Sequence, residues 1–402
     1  MLRIAILGGG IAGLGAAISL AGRGFDVEVF ERHAAPTDIG AGIVCWPNAS
    51  FVLQELGLLD SVAGLAGRPT RMRRVSWTGE ELGALDIRKL DELMGSPSLS
   101  VLRRELQAAL LSRVDGLGVR VRYGHAADRI EPSAAGPASV HFANGATVAA
   151  DVILGADGRM RSVARAFVHG DNRPRYQGFV NWLGTFESDR AVFSESQIEV
   201  MDCWGVGVRF GVVPVSRSKA YWAGAAACPE ARGKEPADYR AELRALFRGW
   251  PSPIPELIEE TPSERMNKIY VHDHDPIDTW HRDNVLLIGD AAHAALPTSG
   301  QGASQALEDA WHLAECLSSA ASLEEAFTAF TKRRHAKNAA INAGARDLAR
   351  SLFATDPALC EARDRRSKAT DYEAMVQGMA RGWSSGLPMS GRPGAPSARP
   401  QA

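Results

Sequence analysis

The amino-acid sequence predicts an α/β protein in which two kinds of β-sheet are combined. Residues 2–31 have the pattern of a strand, a glycine-rich turn, a helix and a second strand. Residues from about 175 to 230 form successive strand-like runs rich in Val, Phe, Trp and Tyr, broken by Gly, Pro and Ser. Residues from about 301 to 350 are helical in pattern and rich in Ala, Leu and Glu. We therefore expect a parallel-sheet unit interleaved with a mostly antiparallel sheet, followed by helices.

The N-terminal unit is a Rossmann-like βαβ motif. Leu2 to Leu7 is a short apolar run of the kind found in buried parallel strands. A helical pattern follows the glycines and reaches about Arg23, where Gly24 ends it. Phe25 to Phe30 alternates and predicts the second strand.

The turn of this motif has the dinucleotide-binding spacing G-x-G-x-x-G, formed by Gly8, Gly10 and Gly13. These glycines permit the tight turn, the approach of a pyrophosphate and close helix–strand packing. The helix N-terminus favours the phosphates, and Glu31, at the end of the second strand, can accept hydrogen bonds from ribose. The motif does not distinguish NAD from FAD. We predict further cofactor contacts at Ala12, Arg32 and Val44.

The remaining elements follow in order. Residues 52–59 and 101–113 have helical spacing, and Val119 to Tyr123 is strand-like. Two strands, 139–142 and 147–149, flank the hairpin signal Asn144-Gly145. Asp151 to Leu154 and, much later, Val285 to Ile288 are again buried-strand types. The last residues, 384–402, are rich in Gly, Pro and Ser and predict disorder.

Composition excludes several classes of protein. The chain has 402 residues and a formal net charge of −2, so it has no overall basic field for nucleic acid. The five cysteines contain no CxxC pair, which favours a reducing compartment. The first apolar run leads into glycines rather than a signal-peptide pattern, and no run reaches the ~20 residues that span a bilayer. We expect a cytoplasmic protein without membrane or nucleic-acid partners, either a monomer or a homodimer.

Two downstream motifs carry a family resemblance. One is Gly155-Ala156-Asp157-Gly158, after a buried strand. The other begins at Gly289-Asp290 and continues through Pro297, Gly300-Gln301-Gly302 and the run Glu308-Asp309-Ala310. Over about residues 1 to 340 the chain resembles the class A flavoprotein monooxygenases, the family of para-hydroxybenzoate and salicylate hydroxylases.

The resemblance implies a role for each matching residue. Asp290 would bind the ribityl chain of FAD, and Pro297 would lie near the reactive edge of the flavin. The backbone at Gly300, Gln301, Gly302 and Ala303 would meet the N1–C2=O edge of the ring, where a helix N-terminus stabilises the reduced form. Arg103 would lie near the FAD phosphates, Ala126 near the adenine, and Asp157 near both FAD and the nicotinamide donor.

The resemblance also implies how the chain is divided. Residues 1–70, 100–175 and 275–345 would form a discontinuous FAD-binding domain. Residues 71–99 and 176–274 would form the substrate-binding sheet, residues 346–383 C-terminal helices, and residues 384–402 a tail. Segments such as Trp46-Pro47-Asn48, 179–182, 214–216 and 267–273 look most like bacterial FAD-dependent urate hydroxylases and 6-hydroxynicotinate or salicylate hydroxylases.

The implied reaction uses NADH or NADPH to reduce FAD and O₂ to form a flavin C4a-hydroperoxide, which hydroxylates a small aromatic or heteroaromatic ring. The protein must exclude water and orient that ring. Arg209 lies in a predicted strand and could anchor a carboxylate or enolate, or could be an arginine facing solvent. Tyr221 and Asn181 could hydrogen-bond the substrate or simply pack in the sheet.

Several other features have two interpretations. Five aromatic residues could line a pocket or lie in the core: Phe179, Trp182, Trp204, Phe210 and Trp222. His293 could act near the flavin or be structural, and the structural role is favoured. The histidines and aspartates of 272–278 could hold a metal, but we predict none because the family uses none. The basic run 332–335 is expected on the solvated face of a helix.

Other activities remain possible on the same fold. They are an epoxidase, a reductase or a natural-product tailoring oxygenase, and a non-catalytic flavin-binding protein. A halogenase is disfavoured because the chain lacks a W-x-W-x-I-P motif.

Overall fold

A computed structural model describes residues 1–36, 41–133, 136–194, 197–230 and 239–389. The strands are β1 Arg3–Leu7, β2 Asp26–Phe30, β3 Gly42–Cys45, β4 Pro69–Ser76, β5 Glu81–Asp86, β6 Leu99–Leu102, β7 Arg120–Arg122, β8 Ala127–Glu131, β9 Ala138–Phe142, β10 Thr147–Ala150, β11 Val152–Gly155, β12 Arg175–Glu187, β13 Ile198–Trp204, β14 Val208–Pro214, β15 Lys219–Ala227, β16 Met266–Asp273, β17 His281–Arg282 and β18 Val285–Leu287. The helices are α1 Ile11–Ala21, α2 Pro47–Glu55, α3 Leu59–Ala63, α4 Ile87–Met94, α5 Arg103–Gly116, α6 Val163–His169, α7 Tyr239–Leu246, α8 Ile254–Glu260, α9 Asp290–His293, α10 Gly302–Ser319, α11 Leu323–Leu352, α12 Pro357–Lys368 and α13 Tyr372–Trp383.

The predicted α/β fold is confirmed, and its first sheet has six strands in the order β17-β18-β11-β1-β2-β7, all parallel except β17, which is antiparallel to β18. The β1 strand lies between β2 and β11 and is parallel to both. Its residues Ile4 and Ile6 are fully buried, as expected for a strand covered on both faces. Helices α1 and α10 pack together on this sheet. The chain therefore returns at β18, after a long insertion, to finish the sheet it began at β1.

A seven-stranded sheet, in the order β16-β12-β15-β14-β13-β4-β5, takes β12 to β16 from this insertion and β4 and β5 from the segment between β3 and β6. The successive strands predicted between 175 and 230 are β12 to β15. Neighbouring strands are antiparallel except for β13 and β4, which are parallel. One face of this sheet packs on α7 and α8 through a buried cluster that includes Trp182, Trp222 and Phe210, so these aromatic residues are core. The other face is turned to the parallel-sheet unit and α13.

The C-terminal third contains the predicted helices, but one expectation about them needs correction. The helical pattern from 301 to 350 is two helices, and Ser322 starts the second by accepting a hydrogen bond from the Glu325 N–H at 3.2 Å. Arg334, expected on a solvated face, is fully buried on α11 because it pairs with two carboxylates of α10. The basic run therefore has both a solvent-facing and an inward-facing side, as the 3.6-residue period requires.

The predicted start of the disordered tail, at residue 384, is too early. Leu387 and Met389 are 2% and 1% exposed and join the cluster formed by α4, α13 and β5. Residues 390–402 of that predicted tail lie outside the described residues.

Candidate active site

The glycine-rich turn between β1 and α1 is shaped to hold a phosphate chain. Gly8 has φ +111°, and a Cβ there would lie 2.3 Å from the carbonyl oxygen of Ala156. A Cβ at Gly13 would lie 1.9 Å from the carbonyl oxygen of Gly8. A Cβ at Gly10, in contrast, would meet no atom within 4 Å. Two glycines thus close the turn, and the third leaves the open space that a pyrophosphate would fill.

Glu31 is fixed at the end of β2 in the position expected for a ribose-binding acid. Its carboxylate accepts hydrogen bonds from the backbone N–H of Gly9 at 2.7 Å and of His33 at 2.9 Å. Burial would raise the pKa of Glu31, but the hydrogen bonds from His33 and Gly9 more than offset it and hold the pKa below its usual range. The carboxylate is therefore ionised at neutral pH and ready to accept hydroxyl hydrogen bonds.

The other residues predicted at the nucleotide end lie on several separate segments. Arg103 is the first residue of α5, and its backbone N–H donates to the Ala41 carbonyl at 2.9 Å. Gln107, one turn later, donates to the Gly9 carbonyl at 3.2 Å, which ties α5 to the glycine-rich turn. Ala126 immediately precedes β8, and Arg32 is exposed just after β2. Ala12 lies against Gly289, whose Cβ would come within 2.7 Å of it.

Asp290 begins α9 directly after β18, at the carboxyl end of the parallel sheet. Gly289 before it has φ +58°, and its N–H donates to Asp309 at 2.8 Å, which sets the sharp turn. The Asp290 carboxylate is 3.0 Å from the Arg159 guanidinium and is partly exposed. This arrangement brings Asp290 to the edge of the sheet where α/β folds bind their ligands.

The Asp157 carboxylate caps the N-terminus of α6. It accepts hydrogen bonds from the Ser162 hydroxyl at 2.5 Å and from the Val163 N–H at 2.7 Å, so it fixes the start of α6. Burial raises its pKa despite these hydrogen bonds. Arg165 on α6 donates to the carbonyls of Ala291 and Ala292. These contacts join α6 to α9, and a cofactor contact of Asp157 remains a prediction.

Residues 297–303 form a loop that ends at the N-terminus of α10. Pro297 starts a short 3₁₀ turn, and Gly300 has φ +62°, in the region that favours glycine. Trp46 donates from its indole N–H to the Gly300 carbonyl at 2.9 Å. Gly302 and Ala303 form the first turn of α10 and face a cavity. The free N–H groups of this turn present a partial positive charge to that cavity.

A buried polar network supports this loop from below. Gln301 accepts hydrogen bonds from Asn48 at 2.9 Å and Gln305 at 3.0 Å. Asn48 and Gln305 also donate to Glu308, which pairs with Arg334. Burial would raise the pKa of Glu308, but the nearby Arg334 and Lys337 cations lower it below its usual range. The network ties the loop to α2, α10 and α11, although the Asn48 side-chain oxygen and the Gln301 side-chain nitrogen have no hydrogen-bond partner among the described residues.

The cavity has a volume of about 510 Å³ and lies between the loop 297–303, the seven-stranded sheet and α13. The predicted residues Val44, Asn181, Arg209, Tyr221, Pro297, Gly300, Gln301, Gly302 and Ala303 all line it. Cross-strand register explains why residues from distant segments meet here. On neighbouring strands, Tyr221 is opposite Val213. Asp202 is opposite Gly211 on one side and Arg74 on the other. Asn181 and Arg209 are both opposite Ala225, which lies on the strand between them. The two-residue period then places all these side chains on one face.

Arg209 and Asp202 form an ion pair on the cavity floor. The Arg209 Nε lies 2.5 Å from an Asp202 carboxylate oxygen, and the two side chains are 25% and 9% exposed. Arg209 is thus turned to the cavity rather than to bulk solvent. The charge that we expected to be free for an anion is neutralised by Asp202, which the sequence did not single out.

Tyr221 on β15 and Asn181 on β12 both lie on the side of Arg209 away from Asp202. Burial raises the pKa of the Tyr221 hydroxyl well above its usual range, so it is neutral and can donate a hydrogen bond. Its ring packs on β3, where a Cβ at Gly42 would lie 1.8 Å from it. Asn181 is 6% exposed, and its side-chain oxygen has no hydrogen-bond partner among the described residues. An unpaired buried acceptor facing a cavity is available to a ligand donor.

His293 is held by contacts within the protein. Its Nε2 is 2.6 Å from Asp309, and its ring packs on Trp280 at 5.1 Å between centroids. Within the described ranges no three His, Cys, Asp or Glu side chains are grouped to bind a metal. Nor does that part of the chain contain a helix long and apolar enough to cross a membrane.

Comparison with known proteins gives consistent matches. The family model "FAD binding domain" matches residues 1–343. The aurachin C monooxygenase/isomerase of Stigmatella aurantiaca is 36% identical over 334 residues, covering 82% of this chain and 84% of the relative. The 3-amino-4-hydroxybenzoate 2-monooxygenase of Streptomyces cremeus is 32% identical and covers 96% of each chain. The crystal structure of Klebsiella pneumoniae HpxO complexed with FAD and uric acid matches with a TM-score of 0.87 at 29% identity, over 96% of this chain and 97% of that one.

Proposed function

The chain belongs to the FAD-dependent aromatic-ring monooxygenases, and on that basis we propose that it hydroxylates a small aromatic or heteroaromatic compound in the cavity between the loop 297–303 and the seven-stranded sheet. The observation that carries the proposal is that the loop 297–303 and the polar side chains of the seven-stranded sheet line the same cavity. The loop at the N-terminus of α10 forms one wall, and the polar side chains of Arg209, Asp202 and Asn181 lie on the floor.

The residues at the nucleotide end fit FAD. The open space at Gly10, the ionised Glu31 and the exposed Asp290 carboxylate would hold the pyrophosphate, adenosine ribose and ribityl chain respectively. When bound, FAD would supply the redox chemistry: with two electrons from NADH or NADPH, one oxygen atom of O₂ would enter the ring and the other would leave as water. We propose that residues 1–70, 100–175 and 275–345 hold FAD, and that 71–99 and 176–274 hold the substrate.

The protein side chains orient the ring and keep water away. Tyr221 can donate to an oxygen or nitrogen of the substrate, and Asn181 can accept from a ring N–H or O–H. The outer N–H groups of Arg209 can donate to the same substituent while Asp202 holds the guanidinium in place. Pro297 begins the 3₁₀ turn of the loop, and we assign it a position near the flavin. Trp46, Val44 and Leu183 complete apolar walls that exclude water.

The test is oxidation of NADH or NADPH by the FAD-loaded protein in the presence of phenols, hydroxypyridines, quinolones and purines. A monooxygenase of this kind should oxidise the donor faster with a suitable ring and yield a product 16 mass units heavier, one oxygen atom. A protein that binds FAD but shows no substrate-dependent oxidation with any ring would be a non-catalytic flavin protein. A product with an epoxide instead of a phenol would indicate the alternative oxygenase chemistry.

A further inference from the structure

The cavity is longer than a single ring requires. Its floor crosses six neighbouring strands, from β12 through β15, β14, β13 and β4 to β5. At ~4.8 Å between strands, five steps span about 24 Å. The polar side chains Asn181, Arg209 and Asp202 lie on β12, β14 and β13, so they occupy only one part of this length.

The far end of the cavity is lined mainly by apolar side chains, with Arg74 and Asp86 as its charged members. Met72 on β4 is opposite Leu85 on β5, and both line the cavity. Leu90 of α4 lines it from one side, and Val376 and Met379 of α13 line it from the other. Leu85, Leu90 and Val376 are 4%, 1% and 2% exposed. A ligand group placed among these side chains would be removed from water on nearly all sides.

The cavity lining also lacks net charge. Its four charged side chains are two arginines and two aspartates, Arg74, Arg209, Asp86 and Asp202. Arg209 is paired with Asp202, and the Arg74 guanidinium lies over the rings of Trp204 at 5.2 Å and Tyr372 at 5.4 Å. Arg209 is therefore neutralised by a carboxylate and Arg74 is held over two aromatic rings, and the lining as a whole has no net positive charge that would compensate the desolvation of a carboxylate.

We propose that the substrate is an uncharged aromatic ring carrying a hydrocarbon substituent. The ring lies beside the loop 297–303, and the substituent extends along Met72, Leu85, Leu90, Val376 and Met379. The inference rests on the proposed function for the position of the ring and adds the nature of the substituent.

The experiment titrates the FAD-loaded protein with matched ligands and follows the flavin absorbance spectrum. For a phenol, a hydroxypyridine and a quinolone, the unsubstituted ring is compared with its butyl and its carboxylate derivative. Each methylene removed from water lowers Kd by roughly fourfold. If the butyl group is only partly buried, the butyl derivative should still have a Kd at least about tenfold lower than the unsubstituted ring. The carboxylate derivative should have a higher Kd than the unsubstituted ring.

A pair of variants on α13 locates the substituent. Met379→Lys places a charge in the apolar end and should abolish the tenfold gain from butyl, with little change for the unsubstituted ring. Gln377→Lys, on the exposed side of the same helix, is the control and should keep the gain. Equal effects of butyl on both variants would overturn the assignment of the apolar end.

The outcomes separate the two proposals. If a ring stimulates donor oxidation but butyl brings no gain, or the carboxylate binds more tightly, the substituent proposal is overturned and the monooxygenase proposal stands. If no ring perturbs the flavin or stimulates oxidation, both fail.

Discussion

At the scale of single residues, the Arg209–Asp202 pair changes how the site is understood. The sequence around Arg209 predicts that this residue lies in a strand and could contact the substrate. Its partner Asp202 lies in the neighbouring strand, where Asp202 is opposite Gly211 rather than Arg209 itself. A diagonal contact of this kind depends on register, which a single sequence does not define.

We expect Arg209→Met to weaken substrate binding and to destabilise the fold, because it leaves the largely buried Asp202 carboxylate unpaired. The loss should be about 1–3 kcal/mol in the free energy of unfolding. Adding Asp202→Asn should recover part of that stability without recovering substrate affinity. Urea unfolding and ligand titration measure both effects. A double variant no more stable than Arg209→Met would contradict the pairing.

Asp290→Ala should lower FAD affinity, because it removes the carboxylate that we assign to the ribityl chain and leaves Arg159 without its partner at 3.0 Å. We expect Kd for FAD to rise about tenfold, as for a lost charge-assisted hydrogen bond. Quenching of the flavin fluorescence on binding measures this Kd. Asp278→Ala, at a fully exposed aspartate, is the control. Equal affinities of the two variants would refute the assignment.

At the scale of elements, α10 and α11 are joined by buried charges that support the loop 297–303. Arg334 on α11 pairs with Glu308 and Asp309 of α10. Lys337 donates to Glu308 and to the carbonyls of Trp383 and Ser385, which fastens the end of α13. The sequence predicted the helices from their periodicity, but it could not show which side of a basic run faces inward.

His312 lies in this region on α10 and should make stability depend on pH. Its ring nitrogens have no hydrogen-bond partners among the described residues. Burial, aided by nearby Arg334, lowers its pKa from 6.5 to about 3. Between these values the unfolded chain binds a proton that the folded chain does not, so stability falls as pH decreases below about 6.5.

We expect His312→Leu to remove this contribution. At pH 5 protonation of the unfolded histidine is worth about 2 kcal/mol, so the variant should lose about that much less stability than the parent between pH 7 and pH 5. Urea unfolding at the two pH values measures the difference. His169→Gln, at an exposed histidine, serves as the control. If parent and His312→Leu lose equal stability, the buried histidine is not responsible.

At the scale of the whole molecule, the two sheets meet around one cavity. The βαβ start and the buried strands predicted the parallel sheet, and β-rich composition predicted the second one. The cavity was not predictable, because its floor joins strands far apart in the chain. Val200 on β13 is opposite Met72 on β4, and α13, which covers that end, lies beyond the family match at residue 343.

FAD should stabilise the entire fold, because its proposed contacts extend from the glycine-rich turn to the loop 297–303. At a free FAD concentration of one hundred times Kd the gain should be about 2.7 kcal/mol. The thermal midpoint should therefore rise with FAD concentration. Riboflavin, which lacks the pyrophosphate and adenosine, should raise it less. Equal shifts by the two ligands would argue against a nucleotide site at Gly8 to Gly13.

The position of β18 in the parallel sheet has a consequence for synthesis on the ribosome. β18 pairs with β11, yet 129 residues separate Gly155 from Val285. Until β18 emerges, a nascent chain holds an open edge on β11, which other chains can pair with. The loop 297–303 emerges later still. We therefore expect the chain to bind FAD only after the seven-stranded sheet is complete. We expect chaperones to be most needed to cover the open β11 edge while residues 156–287 are being made.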